Sequence, residues 1–434
     1  MNTSDSSPAP RPPLKRREFL KTSGLAAAAT VAWKNPLTAA ERARSIGAND
    51  RIRVAQLGCG GRGVGAHMKE MKKHIKEMNF QYVAVADTWK QHREQAAATV
   101  KEMSGNDVKQ FGNYRDLLAM DGIDAVMIAT PDFHHTTHLE AVAKAGKHIY
   151  CEKPLATELP KLLRAYDAAK AAQAKGSIIQ VGTQLRSFPG IVGARALMQS
   201  GILGKISRID ETRNSEKPYW YQYLNRGVKK EDVDWKEFLG DRKSQPFDEK
   251  KYSAWYGYYE FCQGPVPQWG AHFLDLMHYV MDCGFPESCV CLGGVTYWKD
   301  ENHFSTPDNV IATWKYPEDF IVTSSNNFGN SAGNSRKFYG DRGTLAVDNW
   351  NAPTYSAEGG PKRDGKIRGK NDVKPIAHPD HWLDWLQCMR NGNTPNASID
   401  AGYQHAIAVL MAVMSYDTGK KTIYDHARRE IRTA

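Results

Sequence analysis

Residues 124–154, DAVMIATPDFHHTTHLEAVAKAGKHIYCEKP, decide how the rest of the chain is read. DAVMIAT is a short apolar run that ends at Thr130-Pro131, the pattern of a parallel strand buried on both faces with a loop at its carboxyl end. HTTHLEAVAKAGK continues as a helix that places Leu139, Val142 and Ala143 on one side, and Gly146 stops it. HIYC is the next strand and delivers Glu152-Lys153-Pro154 to the same sheet edge. Neighbouring strand ends that carry polar groups form a cleft, and open α/β sheets bind ligands there. Lys153 is the first candidate for chemistry.

Upstream, RIRVAQLG is a strand that runs into Gly58-Cys59-Gly60-Gly61-Arg62-Gly63 and then into a helical segment, VGAHMKEMKKHIKEM. In that context the glycines let the backbone approach a pyrophosphate, whose charge is met by free N–H groups and the positive end of the helix. QYVAVAD, the next strand, ends at Asp87. A carboxylate there accepts hydrogen bonds from an adenosine ribose and repels a 2′-phosphate, which favours NAD over NADP, although Lys90 and Arg93 lie close enough to offset the repulsion. Helices and strands keep alternating to SIIQVGT, so the expected first domain is a doubly wound parallel sheet over residues 41–183.

TPDFHH, AGKH and CEKP, in this order and spacing, resemble the glucose-fructose oxidoreductase / inositol dehydrogenase / MocA family of nicotinamide-dependent enzymes. The resemblance implies that Lys153 sits beside the nicotinamide and the reacting carbon. It also implies that Thr130, Pro131, Asp132, His135 and Glu152 join Gly58, Gly60, Gly61, Arg62, Gly63 and Asp87 around the cofactor. His134 and His138 are expected on the surface or behind the site.

Beyond Thr183 the pattern changes to consecutive strand-like segments, CVCLGGVTYW, NVIATWKYP, FIVTSSNNFG and RKFYGDRGTLAVDNW. They indicate an α+β second domain over residues 184–434 with a large, mostly antiparallel open sheet. Pro353 to Pro379 is expected to be a long loop, and two helices, HWLDWLQCMRNG and AGYQHAIAVLMAVMSYDTG, close the fold. Within this half, Gln268-Trp269-Gly270-Ala271-His272-Phe273-Leu274-Asp275 resembles the family motif D-x-G-x-H-x-x-D. His272 falls on its histidine and Asp275 on its second acid, but Gln268 replaces the first acid. A glutamine orients a hydroxyl without taking its proton, so His272 is expected to act as base while Lys153 polarises the oxygen. Gln268, Asp275, Gln184, Arg186 and Tyr256 are the candidates for substrate binding. The clusters Tyr219-Trp220-Tyr221 and Trp255-Tyr256 offer ring faces suited to a sugar. Metal binding is not expected, because His278 turns away from His272 on a helix.

The first 40 residues combine Arg16-Arg17-Glu18-Phe19-Leu20-Lys21 with a weakly apolar alanine-rich run and small residues at Thr38-Ala39-Ala40. This is the pattern of a twin-arginine signal peptide, with the export machinery as partner and the periplasm as destination. Its removal takes six basic and two acidic residues and lowers the formal charge from +10 to +6. The remaining basic residues are mixed with acids, which argues against a nucleic-acid partner, and the leader is too short and weak for a stable membrane span. Seven cysteines, an odd number, make no disulfide framework. The sequence as a whole points to an exported NAD(P)-dependent oxidoreductase acting on a sugar or polyol, expected to be a homo-oligomer. A redox-neutral glycosidase or lyase that oxidises its substrate only transiently, and a non-catalytic carbohydrate-binding relative, are the alternatives. Net redox change and turnover separate the three.

Overall fold

The computed structural model describes residues 50–357 and 365–434. The twin-arginine stretch therefore lies outside the described residues. Six strands, β1 (Ile52–Leu57), β2 (Phe80–Ala86), β3 (Lys109–Phe111), β4 (Ala125–Ile128), β5 (His148–Cys151) and β6 (Ile179–Val181), form a parallel sheet in the order β3-β2-β1-β4-β5-β6. The order reverses between β1 and β4, and that switch point opens a crevice at the carboxyl ends of the strands. Every residue of β4 is buried, as helices on both faces require. Gln56, fully buried in β1, donates from Nε2 to the carbonyls of Gly58 at 3.1 Å and Met127 at 3.3 Å. A polar residue in a buried strand thereby holds the turn that follows it.

Three crossover helices are α1 (Lys90–Ser104), α2 (His135–Lys144) and α3 (Leu159–Gln173), and α2 buries Leu139, Val142 and Ala143 as its spacing predicts. The helix after the glycine loop differs from expectation. It starts as a π-helical turn, Gly63–Met68, in which the N–H of His67 reaches back five residues to Arg62. Such widened turns cluster at functional sites, and here the widening aims His67 at Glu152.

The second sheet has ten strands. Its centre is β7 (Ile206–Asn214), β8 (Ser288–Gly294), β9 (Asn309–Tyr316) and β10 (Phe320–Asn327), flanked by β11 (Ser335–Gly340) and β12 (Thr344–Ala346). The order is β14-β13-β12-β11-β7-β10-β9-β8-β15-β16, antiparallel except for the β7–β10 pair. β13 (Thr354–Ser356) and β14 (Lys370–Asp372) fall inside the stretch read as a loop. Three residues each, without apolar alternation, they carry no strand signal of their own. β15 (Thr422–Asp425) and β16 (Glu430–Thr433) complete the other edge.

Four further helices are α4 (Pro189–Gln199), α5 (Ala271–Met281), α6 (His381–Asn391) and α7 (Ile399–Thr418). α7 lies along the inner face of the large sheet, where Trp314 Nε1 donates to the Ala408 carbonyl at 2.9 Å. α6 instead returns to the parallel sheet. Its Trp382, Trp385, Leu386 and Met389 pack with Met68, Met71, Tyr82 and Tyr150, and Gln180 Nε2 donates to the His381 carbonyl at 2.7 Å. The late helix is thus part of the layer that supports β5, and with it Glu152 and Lys153. All seven cysteines are free thiols.

Candidate active site

The ends of β1, β2, β4 and β5 converge on one cleft of about 430 Å³. At β1 the chain turns through Gly58, whose φ is +87° and whose added Cβ would lie 2.5 Å from the Ala129 carbonyl carbon. No other residue fits there. Gly63 is a packing glycine and does not line the cleft, since a Cβ would come within 2.1 Å of the Gly58 oxygen. Gly60, Gly61 and Arg62 do line it, and a Cβ on Gly61 would meet nothing within 4 Å. The loop presents bare backbone to the cleft, as a pyrophosphate-binding turn must.

Asp87 ends β2. Its carboxylate accepts from the Cys59 N–H at 2.7 Å and the Trp89 N–H at 2.9 Å, which fastens the glycine loop to the neighbouring strand. Burial pushes its pKa up, but His92 and the two N–H donors outweigh burial and hold it below the usual value. Oδ2 also faces His92 Nδ1 at 3.4 Å, and Oδ1 keeps a lone pair for a ribose hydroxyl. The loop after β4 brings Thr130, Pro131, Asp132 and His135 to the same cleft. The His135 ring lies between the Pro154 carbonyl at 2.7 Å and the Thr130 carbonyl at 2.8 Å, linking the loops after β4 and β5. His134 and His138 are buried, not on the surface, and their rings stack 5.0 Å apart.

β5 ends at Glu152 and Lys153, both of which line the cleft. Burial pushes the Glu152 carboxyl up, yet Arg62 (3.5 Å), His67 (Nε2 at 3.0 Å) and Lys153 together hold it well below the usual range. Lys153 Nζ donates to the Gln268 carbonyl at 2.9 Å and faces its Oε1 at 3.5 Å. Burial first, and then the Arg62 charge, lower the Lys153 pKa to about 8. Gln268 Nε2 in turn donates to Asp132 Oδ2. The carboxyl that position 268 lacks is therefore supplied in space by Asp132, which burial and Glu152 push well above the usual value against the pull of Lys153.

His272 is one helical turn beyond Gln268 and feels the charges of Lys153 and Arg62. Burial, and then those cations, push it well below the ordinary imidazole value, and its Nδ1 is buried without a partner. It does not line the cleft floor, nor does Gln184, whose Oε1 is also unpartnered. Arg186 and Asp275 are brought together elsewhere. Arg186 Nε lies 2.7 Å from Asp275 Oδ2, with His405 Nδ1 at 3.6 Å from Oδ1, and neither member of the pair lines the cleft. Asp275 has no exposed surface, so its charge must be met by a buried cation, and Arg186 is committed to that task.

Tyr256 lines the cleft, its ring stacked on Trp255 at 3.7 Å. It belongs to a segment, residues 215–262, whose share in the cleft exceeds what the sequence suggested. Tyr223, Arg226, Tyr252 and Trp255 of this segment line the dinucleotide side. The segment is tied to the parallel sheet on both flanks. Asp234 N–H donates to the Thr88 carbonyl at 2.9 Å, His134 Nε2 to the Phe238 carbonyl at 2.7 Å, and Lys161 pairs with Asp241 at 2.6 Å. Trp89 and Phe133 from the sheet loops enter the same aromatic cluster as Trp220, Phe238 and Tyr252. The dense run of aromatics was the available signal; the polar ties across long sequence distances gave none.

Fold and cleft together define a dinucleotide-binding α/β protein with a second domain built on an open sheet. A family profile described as "Oxidoreductase family, NAD-binding Rossmann fold" matches residues 52–183, and a second, "Oxidoreductase family, C-terminal alpha/beta domain", matches residues 237–423. The chain belongs to this Gfo/Idh/MocA oxidoreductase family. It is 27% identical over 240 residues to a glycosyl hydrolase family 109 protein of Shewanella pealeana, covering 49% of this chain and 52% of that one. It is 33% identical over 158 residues to inositol 2-dehydrogenase of Rubrobacter xylanophilus, covering 36% and 42%. The aligned stretches span about half or less of these relatives. Among solved structures, levoglucosan dehydrogenase in complex with NADH and levoglucosan superposes with a TM-score of 0.64 at 16% identity, over 86% of this chain and 99% of that one, a likeness of fold.

The Arg186–Asp275 pair generates a test. Arg186→Met leaves a buried carboxylate unmet and is expected to cost about 3–5 kcal/mol of stability. The folded pKa of Asp275, about 2, lies below an unfolded value of about 4, so its contribution is present above pH 4 and lost as pH falls toward 2. The gap in denaturation midpoint between wild type and variant should therefore shrink across that window. A variant of unchanged stability that fails only in substrate binding would return Arg186 to the substrate site.

Proposed function

We propose that the chain is an exported oxidoreductase that acts on a carbinol of a sugar or polyol with an NAD that it carries rather than exchanges. The observation that carries this reading is Lys153: a desolvated lysine at the cleft floor, lowered to about 8, beside Gln268 and Asp132. NAD held in the cleft supplies the hydride acceptor. The chain's own residues bind, orient and move one proton. In its neutral form Lys153 has two N–H bonds and one lone pair. The N–H bonds point at the oxygens of Gln268, which leaves the lone pair for the substrate hydroxyl. Asp132, raised by burial, lies in the same cleft to share that proton. His272 has too low an affinity for protons to compete with Lys153.

Retention of the cofactor is supported by the segment 215–262, which closes over the dinucleotide side and is tied down on both flanks. It also fits the leader, because twin-arginine export moves folded proteins and a free nicotinamide pool is not expected outside the cytoplasm. Val290, Leu292, Ile311 and Ile321, all on the outer face of the large sheet and 46–81% exposed, support association with a second copy. A redox-neutral second reading is favoured by Gln268 in place of the motif acid and by the likeness to a glycosyl hydrolase family 109 protein.

Two outcomes are expected. Protein purified from the periplasm should release near-stoichiometric NAD(H) on denaturation, identified by mass spectrometry, and should turn over a sugar without added nucleotide. Nucleotide-free protein that needs fresh NAD each cycle would defeat the carried-cofactor reading, and product at the substrate's own oxidation level would select the redox-neutral one. The second concerns pH. Lys153 accepts a proton only when neutral, so reduction of the bound cofactor in a single turnover should rise through about pH 8 and level off above it. Lys153→Ala should lower the rate by about 10²–10⁴-fold while NAD content is retained. A flat profile, or near-normal turnover in the variant, would remove Lys153 from the proton step.

A further inference from the structure

On the inner face of the large sheet, β7 alternates Ile209, Glu211 and Arg213 toward the site. Glu211 is already matched: Arg336 Nε lies at 3.0 Å and Ser324 Oγ donates to it at 3.0 Å. Arg213 has no such partner. No carboxylate of the described residues makes an ion pair with it, and its Nε is buried without a hydrogen bond. Its guanidinium lies 4.1 Å from the centroid of the Trp269 ring, the residue next to Gln268, to which Lys153 is bonded. Burial lowers its pKa, with the neighbouring Arg336 charge adding to the effect and Glu211 opposing it. The guanidinium is only partly buried and has no ion-pair partner among the described residues, so it is open to an anion.

Other groups around it are also unsatisfied. Asn326 of β10 is in parallel register with Arg213, so the two side chains lie on the same face; it is 1% exposed and its Oδ1 has no partner. The Tyr219 ring is 5.4 Å from Trp269, and its hydroxyl is buried and unpartnered. His272 Nδ1, one turn after Trp269, completes the set. One cation, an aromatic platform and three neutral hydrogen-bonding groups describe the complement of a polyhydroxylated ring that bears one planar anion.

Resting on the oxidoreductase reading above, we infer that the substrate is a sugar acid whose carboxylate is held by Arg213, with its hydroxyls meeting Asn326, Tyr219 and His272. A carboxylate fits better than a phosphate. It matches the fork of a single guanidinium, whereas the other nearby cations, Arg336, Lys153 and Arg62, are engaged with Glu211, Gln268 and Glu152.

The test uses the full mature protein with whatever cofactor it carries. Binding of a panel of uronic and aldonic acids, their neutral parent sugars and the matching sugar phosphates is measured by calorimetry and by Trp fluorescence, and the absorbance of bound reduced cofactor is followed in parallel. At least one sugar acid should bind at least about 30-fold more tightly than its neutral parent, the range of a charge-assisted hydrogen bond. In Arg213→Met that ratio should collapse toward one, and Arg213→Lys should restore part of it. Binding of the acid through Arg213 without any change in the cofactor would sustain this inference while the oxidoreductase reading falls. Turnover of neutral sugars with no preference for acids would do the reverse. Selection of sugar phosphates, or no sugar binding at all, would also overturn it. The wild-type panel decides the matter even where a variant fails to fold.

Discussion

A carboxylate at the end of a buried strand is the constraint on which this structure turns. Glu152 is 3% exposed, and its ionised form persists only because three groups converge on it. Arg62 comes from the glycine loop, His67 from the widened helical turn behind that loop, and Lys153 from the next residue of its own chain. Through this one anion the cofactor loop and the lysine are positioned together. Lys153 benefits in turn: it is dry enough to lose its proton near neutrality, yet close enough to Glu152 and Asp132 not to lose it altogether.

The second constraint is the supply of hydrogen-bond partners where β4, β5 and α5 meet. Gln268 stands between Lys153 and Asp132, accepting from one and donating to the other, a role an aspartate could not fill because it has no N–H to give. The substitution at this position and the carboxyl at position 132 are two halves of one arrangement. The carboxyl beside Gln268 thus comes from the loop after β4.

Much of this was legible in the chain. The parallel sheet was readable because strands buried on both faces are written as unbroken apolar runs, and the glycine loop because a strand on one side and a helix on the other frame it. Lys153, Glu152, Asp87 and Asp132 sit at strand ends, where sequence position alone assigns them to the cleft. Arg186 and Asp275 show the limit. Asp275 falls on a motif position and Arg186 just past a strand end, and a charged residue in such a place reads as functional until its partner, 89 residues away, becomes visible. β13 and β14 were missed because strands of three residues at the end of a sheet need no apolar face. α6 was read correctly as a helix, but nothing local says that its tryptophans serve the parallel sheet instead of the sheet it follows in sequence.

The segment 215–262 has a kinetic consequence. It is held to the parallel sheet by backbone bonds at Thr88, a histidine-to-carbonyl bond at Phe238, an ion pair at Asp241 and a shared aromatic cluster. Lifting this segment requires these ties to open together, so how often it happens is set by the free energy of a local unfolding event. Hydrogen exchange at the amide of Asp234 would thus serve as a clock for the dinucleotide cleft, reporting how often the cover lifts.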